Sequence, residues 1–290
     1  MWFWLAAAAA VLGAVDVTLN KKILHNVSAA VLTWSLFALT LPIVAIIVLK
    51  EGIPSLSLLF FVGVFGSAFS FVFAKTVMNE TLKQNLVSKV YPLTAFSGFF
   101  TYIFGLLLLS ETIRLIPILG LTTVIVGSYF LNLDQAKESF FKPFKVLFSS
   151  KASLLYLFAI MLNSITSVFD KMGITSSQPN SPVFVMLFEQ FTMSLLLSVF
   201  LIKREPATWI PELKSNFGIL FLNSIIFLAV SFLVFYSFID GPVALVMGIK
   251  RLQIFFILIL SYLFFKDKPA KHVWISTLIM ILGVILIKIG

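Results

Sequence analysis

Ten apolar stretches, each long enough to cross a lipid bilayer, dominate this chain. They occupy about residues 2–19, 29–49, 56–78, 85–109, 115–133, 152–169, 182–202, 217–239, 243–265 and 273–289. A helix needs about 20 residues to span the roughly 30 Å of hydrocarbon in a bilayer. Hydrophobic residues make up 60% of the chain, which is more apolar surface than a water-soluble core accommodates. The pattern predicts an all-α, multi-pass membrane protein.

Several classes of function are disfavoured by what the sequence lacks. The connections between the stretches are mostly short, so little chain is left for a water-soluble catalytic domain. The chain has no cysteine, and its two histidines, His25 and His272, are near the ends of stretches, so we expect no metal centre or cofactor. Its net charge of +9 would suggest nucleic acid for a soluble protein, but here most cations lie in membrane loops. We therefore predict neither an enzyme nor a nucleic-acid partner.

The basic residues predict an orientation in the membrane. Loops after the odd-numbered stretches carry Lys21, Lys22, Lys83, Lys137, Lys142, Lys145, Lys151, Lys203, Arg204, Lys214, Lys266, Lys268 and Lys271. Loops after the even-numbered stretches and the C-terminus carry Lys50, Arg114, Lys171 and Lys288. Because lysine and arginine concentrate on the cytoplasmic side, we expect the first group to be cytoplasmic and both termini to be non-cytoplasmic, in an inner or plasma membrane.

The two runs of five stretches repeat one another. An acid ends the fourth stretch of each run and is followed at equal spacings by small residues, which are Glu111, Gly120 and Gly127 in one run and Asp267, Ser276 and Gly283 in the other. The ends of stretches one and six also match, since Asn20-Lys21 corresponds to Asp170-Lys171. Because five is odd, the second run must insert upside down relative to the first. We therefore predict ten transmembrane helices in two inverted five-helix repeats, 1–133 and 152–290, joined by a basic linker, 134–151.

On these repeat ends the chain resembles the drug/metabolite transporter superfamily, in its ten-helix branch with two EamA-type repeats. The resemblance covers almost the whole chain and rests on Ser110-Glu111 to Gly127, on Lys266-Asp267 to Gly283, and on the Asn-Lys and Asp-Lys ends of stretches one and six. The family pattern usually has glutamate at both repeat ends, so Asp267 departs from it in length but not in charge. The resemblance implies alternating access of a small metabolite through a central cavity, commonly for export.

Cations inside the apolar stretches are the candidates for binding a substrate, because a charge at mid-membrane costs at least about 2.5–3.5 kcal/mol. Lys250 and Arg251 lie about 10 Å into the ninth stretch at roughly 1.5 Å per residue. We expect them to line a cavity, with a structural ion pair as the alternative. Lys89 is shallower in the fourth stretch, where reaching back to the interface is an equal alternative. With Tyr91 as a candidate wall residue, this set favours an anionic ligand.

The three cations form a set similar to that of the triose-phosphate/phosphate translocators, plastid members of the same superfamily. In those carriers a lysine in helix four and a Lys-Arg pair in helix nine hold the phosphate of the substrate. They also have a glutamate before the proline of helix four, where this chain has Tyr91-Pro92. The resemblance therefore implies an anionic headgroup and not triose phosphate itself.

Acids at two kinds of position have different predicted roles. Glu189 in stretch seven and Asp16 in stretch one lie at membrane depth, so either is a candidate for a coupling proton. Glu189 is also a candidate for the substrate site, or for neutralising Lys250 or Arg251. Glu111 and Asp267 each precede a helix by one turn, where we expect them to anchor the helix end through free backbone N–H groups.

The sequence thus predicts a secondary transporter of a small polar metabolite, anionic or carboxylate-bearing, with a proton or a counter-substrate as a possible coupling partner. A second interpretation is an exporter of amino acids or other zwitterions, in which a cation holds the carboxylate and Glu189 or Asp16 holds the amine. An alternative of another class is a membrane receptor or assembly factor that transports nothing.

Overall fold

The computed structural model describes residues 1–83, 97–130, 151–265 and 271–290, and these residues are mostly helical. The first half contains α1 (Trp2–Ile23), α2 (Ala29–Ala38), α3 (Leu41–Glu51), strand β1 (Ser55–Leu56), α4 (Leu58–Lys83), α5 (Ser97–Leu109) and α6 (Leu115–Phe130). The second half contains α7 (Lys151–Thr175), strand β2 (Ser177–Gln178), α8 (Pro182–Arg204), α9 (Trp209–Ser215), α10 (Phe217–Asp240), α11 (Val243–Lys250), α12 (Gln253–Phe265) and α13 (Lys271–Ile289).

Within the described residues, six helical segments are long and apolar enough to cross a bilayer. These are Trp2–Asn20, Ala29–Glu51, Leu58–Lys75, Leu154–Thr175, Pro182–Arg204 and Phe217–Asp240. Shorter apolar helices at Ser97–Leu109, Leu115–Phe130 and Trp274–Ile289 lie in the fourth, fifth and tenth predicted stretches. The prediction of a multi-pass helical membrane protein is confirmed, whereas the count of ten spans stays a prediction.

Within the described residues, two predicted spans are broken into pairs of helices. In the second span, α2 and α3 meet at Leu39-Thr40, just before Pro42. Proline has no N–H for the helical ladder and its ring clashes with the preceding turn, so a break is expected there. In the ninth span, α11 and α12 are separated by Arg251 and Leu252, although no proline is present.

The break in the ninth span is a tight turn, not an open gap. The Arg251 N–H bonds to the Gly248 carbonyl oxygen at 3.1 Å, and the Leu252 N–H bonds to the Ile249 carbonyl oxygen at 2.9 Å. Bonds that reach back three residues are those of a 3₁₀-type turn, which inside a helix often marks a hinge or a functional site. The only charged residues of the predicted ninth span, Lys250 and Arg251, lie at this turn.

The chain forms two compact units, and each contains segments from both halves of the sequence. Unit 1 comprises Met1–Val72 and Phe169–Asp240, and unit 2 comprises Phe73–Val168 and Gly241–Gly290. The boundaries of these units differ from those of the predicted sequence repeats. The repeat boundaries stay predictions.

Unit 1 is built by packing α1 against α10, and α8 against α2 and α3. Part of its core consists of the buried side chains Val31, Leu32, Leu201 and Leu220. At one end, β1 and β2 pair in antiparallel fashion, with Ser55 opposite Gln178. This small sheet joins the connection after α3 to the connection after α7.

Unit 2 is organised around the contact between α6 and α13. A Cβ atom added to Gly120 would lie 2.6 Å from the carbonyl oxygen of Gly283, and one added to Gly283 would lie 2.7 Å from the carbonyl oxygen of Gly120. A Cβ on Gly127 would lie 2.9 Å from the carbonyl oxygen of Ser276. Small residues therefore allow the two backbones to touch, as they do at many helix crossings in membranes.

Candidate functional sites

In unit 2, the break between α11 and α12 brings Arg251 to the start of α5. Nη2 of Arg251 donates a hydrogen bond to Oγ of Ser97. Ser97 is buried, and its carbonyl oxygen accepts a hydrogen bond from Oγ of Ser164 at 3.2 Å. The guanidinium from the ninth predicted span is thus oriented by a buried hydroxyl of the fourth.

The neighbours predicted for Arg251 are only partly described. Lys250 is the last residue of α11 and, like Arg251, is half-buried. Lys89 and Tyr91 lie outside the described residues, so the grouping of three cations stays a prediction. Asp267 also lies outside the described residues.

Glu111 contacts the start of α11, a helix that the sequence did not suggest as its partner. Its carboxylate accepts the N–H of Val243, the first residue of α11, at 3.0 Å through Oε2 and 3.3 Å through Oε1. The expected partner was the start of α6, the next helix in the chain. Ser110 has a φ of 53°, and this left-handed residue lets the Glu111 N–H turn back to the Gly105 carbonyl oxygen at 3.2 Å. The acid therefore lies at the positive end of α11, where a negative charge is stabilised.

A second polar group, called the acid cluster below, lies in unit 1 and consists of Ser67, Asp170 and Glu189. Oγ of Ser67 donates a hydrogen bond to Oδ1 of Asp170, and the Glu189 carboxyl lies next to both residues. All three are buried, with Asp170 8% exposed and Glu189 5% exposed. Oε1 of Glu189 has no hydrogen-bond partner among the described residues.

Glycines in α4 explain how the acid cluster forms. A Cβ atom on Gly63 would lie 2.6 Å from the backbone nitrogen of Gly173, and one on Gly66 would lie 2.9 Å from the ring of Phe169. The backbones of α4 and α7 therefore approach closely at Gly63, and the Phe169 ring packs against Gly66. Ser67 directly follows Gly66 and Asp170 directly follows Phe169, so the close approach sets the two side chains against each other.

The residues of the family pattern are matched by a model of the EamA-like transporter family over residues 1–133 and 150–289. The chain belongs to the EamA-like transporter family. Membership agrees with the predicted place in the drug/metabolite transporter superfamily, and it implies a small-molecule substrate and a lipid bilayer. The family is one of transporters.

A solved structure described only as "Crystal structure of protein" is similar to this EamA-like chain. It has a TM-score of 0.76 and 15% sequence identity, and the similarity covers 99% of this chain and 97% of the other. At that identity the likeness establishes the fold alone. No curated protein matches the chain.

In this EamA-like transporter, Asp16 belongs to a third polar group, also in unit 1. Nδ2 of Asn20 donates to Oδ2 of Asp16 at 3.0 Å, and Nδ2 of Asn223 on α10 donates to Oδ1 of Asn20 at 3.0 Å. Asn223 is fully buried, whereas Asp16 is half-buried. The two membrane-depth acids named from the sequence, Asp16 and Glu189, thus occupy separate groups.

Sequence reasoning missed several polar neighbours in these groups. Ser67, Ser97 and Asn223 were not singled out, because serine and asparagine in apolar stretches carry little signal by themselves. Asp170 was noted only as the repeat counterpart of Asn20. A search for polar residues at repeat-related positions would have found more, since Ser67 and Asn223 are separated by 156 residues (223 minus 67), as are Glu111 and Asp267.

Proposed function

We propose that this chain is a secondary transporter of a small polar metabolite that carries a phosphate or carboxylate group. The observation that carries the proposal is the position of Arg251, at a turn that breaks the predicted ninth span, with its guanidinium oriented by Ser97. Holding a charge at membrane depth is costly and usually marks a functional site. A guanidinium binds carboxylate and phosphate groups through two parallel hydrogen bonds.

The turn at Arg251 favours ligand binding by side chains over binding by the backbone. In many carriers, broken helices bind ions through free N–H and C=O groups at the break. Here the N–H groups of Arg251, Leu252, Ile254 and Phe255 are already bonded to carbonyl oxygens three residues earlier. The anion would therefore contact the side chains of Lys250 and Arg251, with Lys89 and Tyr91 as further proposed contacts.

We infer that the carrier works by alternating access around a site between two inverted repeats, 1–133 and 152–290, with ten spans. The contacts between α6 and α13 support this inference. Shifting Gly120 by 156 residues gives Ser276 (276 minus 120), and shifting Gly127 gives Gly283 (283 minus 127). The contact of Gly120 with Gly283 therefore becomes the contact of Ser276 with Gly127. Such reciprocal pairs arise when a two-fold axis relates two similar halves.

The ligand class can be tested by a thermal-shift screen of the purified protein against phosphorylated, carboxylated and zwitterionic metabolites. A ligand that binds only the folded state raises the melting temperature. Each ligand found should then be tested for counterflow in proteoliposomes, with Arg251→Met and the exposed-cation control Arg204→Met in parallel. We expect anions to bind and to exchange in the wild type and in Arg204→Met. Binding and exchange should both be lost in Arg251→Met. Equal recognition of every ligand by wild type, Lys250→Met and Arg251→Met would contradict the anion site.

An exporter of amino acids or other zwitterions is the second candidate. The observation in its favour is that Glu189 and Asp16 hold carboxyl groups within membrane-spanning helices, where either would bind an amine. Zwitterions that stabilise the protein while simple anions do not would favour this candidate. A receptor that transports nothing would bind a ligand in the screen and give no counterflow.

A further inference from the structure

The acid cluster lies at one depth of unit 1. Glu189 is seven residues beyond Pro182 at the start of α8, and Asp170 is five residues before Thr175 at the end of α7. At roughly 1.5 Å per residue, these positions are about 10 Å and about 8 Å from the two helix ends. The connection between those ends is held to β1 by the pairing of Ser55 with Gln178. The two carboxyl groups therefore lie at similar distances from the connection between α7 and α8.

One carboxyl oxygen of Glu189, Oε1, lacks a hydrogen-bond donor within the described part of the chain. This oxygen is buried. The adjacent hydroxyl, on Ser67, already donates to Oδ1 of Asp170. A serine hydroxyl has a single proton to donate, so Ser67 cannot serve both carboxyl groups at once.

An ionised Glu189 would be strongly disfavoured in these surroundings. It would lose its hydration, because its side chain is almost fully buried, and it would repel the adjacent Asp170 carboxyl when that group is ionised. Both effects grow where the local dielectric is low, as inside a membrane protein. A proton on Glu189 would remove its charge and supply a donor toward Asp170.

The helices packed around Glu189 carry other ionisable groups. Within unit 1 these are Lys171 on α7, Lys203 and Arg204 at the end of α8, Lys50 and Glu51 at the end of α3, and Tyr236 and Asp240 on α10. The part of α4 in unit 1, and all of α2, carry none. Lys203 and Arg204 are about 20 Å along α8 from Glu189 at roughly 1.5 Å per residue, and the next residue, Gln190, is neutral. Lys171 follows Asp170 directly, so its contribution is measured in the test.

We propose that Glu189, Asp170 and Ser67 form a proton-binding site, in which one proton is bound at the Glu189 carboxyl and donated toward Asp170. Binding forms one O–H bond on Glu189 and breaks one in a hydronium ion that reaches the site from the aqueous phase, and release reverses the step. In a carrier, such a site allows a proton gradient to drive the transport of the solute. This coupling role rests on the proposed transport function, whereas proton binding itself does not.

Infrared difference spectroscopy tests the site directly. The purified full-length protein in lipid nanodiscs is measured across a pH range in H₂O and in D₂O. A protonated carboxyl gives a carbonyl stretching band that carboxylates lack and that shifts in D₂O. We expect this band in the wild type, its loss in Glu189→Gln, and a shifted band in Asp170→Asn and Ser67→Ala. The control Glu51→Gln removes an exposed acid at the end of α3 and should leave the band unchanged.

Several results would overturn the proposal. A band that persists unchanged in Glu189→Gln would place the proton elsewhere, and a wild type without any such band would have no buried protonated carboxyl. A band lost in Lys171→Met at constant folding would mean that the lysine, and not the acid pair, controls the site. A rise in melting temperature with sodium chloride over choline chloride, absent in Glu189→Gln, would assign the site to sodium.

The infrared test remains informative if a variant fails to fold or if the protein transports no solute. If Glu189→Gln fails to fold, Glu189→Asp keeps a carboxyl and should give a band at a changed frequency, and a band identical to that of the wild type would contradict the proposal. None of the readouts needs a solute. Failure of the proposed transport would be seen in counterflow while the infrared result stood.

Discussion

The carboxylate of Glu111 accepts the backbone N–H of Val243 at 3.0 Å. The first residue of this pair ends a stretch of the first half of the sequence, and the second begins α11 in the other half. Because α11 ends at Lys250 and is followed directly by Arg251, this contact helps to position the proposed anion site. Glu111 is therefore better understood as an anchor between halves than as a ligand for substrate.

Replacing Glu111 with glutamine tests the anchor. The amide oxygen still accepts a hydrogen bond, so only the charge–dipole interaction is lost, and the free energy of unfolding should fall by about 0.5–1 kcal/mol. Glu111→Ala should cost about 1–3 kcal/mol, because it leaves the Val243 N–H unsatisfied. Unfolding in detergent measures both, with the exposed-acid variant Glu51→Gln as control. Loss of ligand binding in Glu111→Gln at an unchanged melting temperature would instead give this acid a functional role.

Replacing Arg251 with lysine tests the geometry of anion binding. Lysine keeps the charge but not the planar fork, so affinity for a phosphate or carboxylate ligand should fall about tenfold, which is about 1.4 kcal/mol. Arg251→Met should weaken binding further, while the melting temperature holds, because removing a charge at membrane depth relieves its desolvation. Ligand titration by thermal shift measures both variants against Arg204→Lys. Equal affinity in all of them would exclude a bidentate contact at Arg251.

The crossing of α6 and α13 predicts a position-specific effect of adding one methyl group. Gly283→Ala would place its Cβ about 2.7 Å from the Gly120 carbonyl oxygen, and overpacking of this kind costs about 1–3 kcal/mol. Gly218→Ala on α10 is the matched control, since a Cβ there meets nothing within 4 Å. We expect a lower melting temperature for the first variant and an equal or higher one for the second. Similar melting temperatures would mean that the two helices do not touch at this glycine.

The distribution of basic residues predicts the topology. A reporter fused after Gly290 should be read as non-cytoplasmic, and one inserted in 134–151 should be read as cytoplasmic. A paired phosphatase and fluorescent-protein assay measures each position. The reverse pair of results would invert the orientation and leave the helical fold untouched.

Helices were predictable where the signal is local. Long apolar runs defined α1, α4, α7, α8 and α10, because hydropathy over about 20 residues is enough to indicate a span. The break in the second span had a visible cause in Pro42. The break at Arg251 had none, since a turn inside an apolar run depends on how neighbouring helices pack.

The charged residues of the candidate sites could be predicted from the sequence, but the residues that they contact could not. Arg251 and Glu189 stand out because ionisable residues in apolar stretches are costly. Their partners, Ser97 and Asp170, depend on which helices cross and at which turn. Repeat matching came closest, because Asn20 and Asp170 were already paired as helix ends.

The composition of the two units has a consequence for synthesis in the cell. Unit 1 needs Met1–Val72 together with Phe169–Asp240, so the early spans enter the bilayer long before their partners exist. Asn20 cannot form its hydrogen bond with Asn223, nor Ser67 its bond with Asp170, until those later residues have been synthesised. Chains usually fold domain by domain from the N-terminus as they emerge, but here assembly must wait until most of the chain has been translated. The polar side chains of the early spans are thus exposed to lipid or to the insertion machinery during that interval.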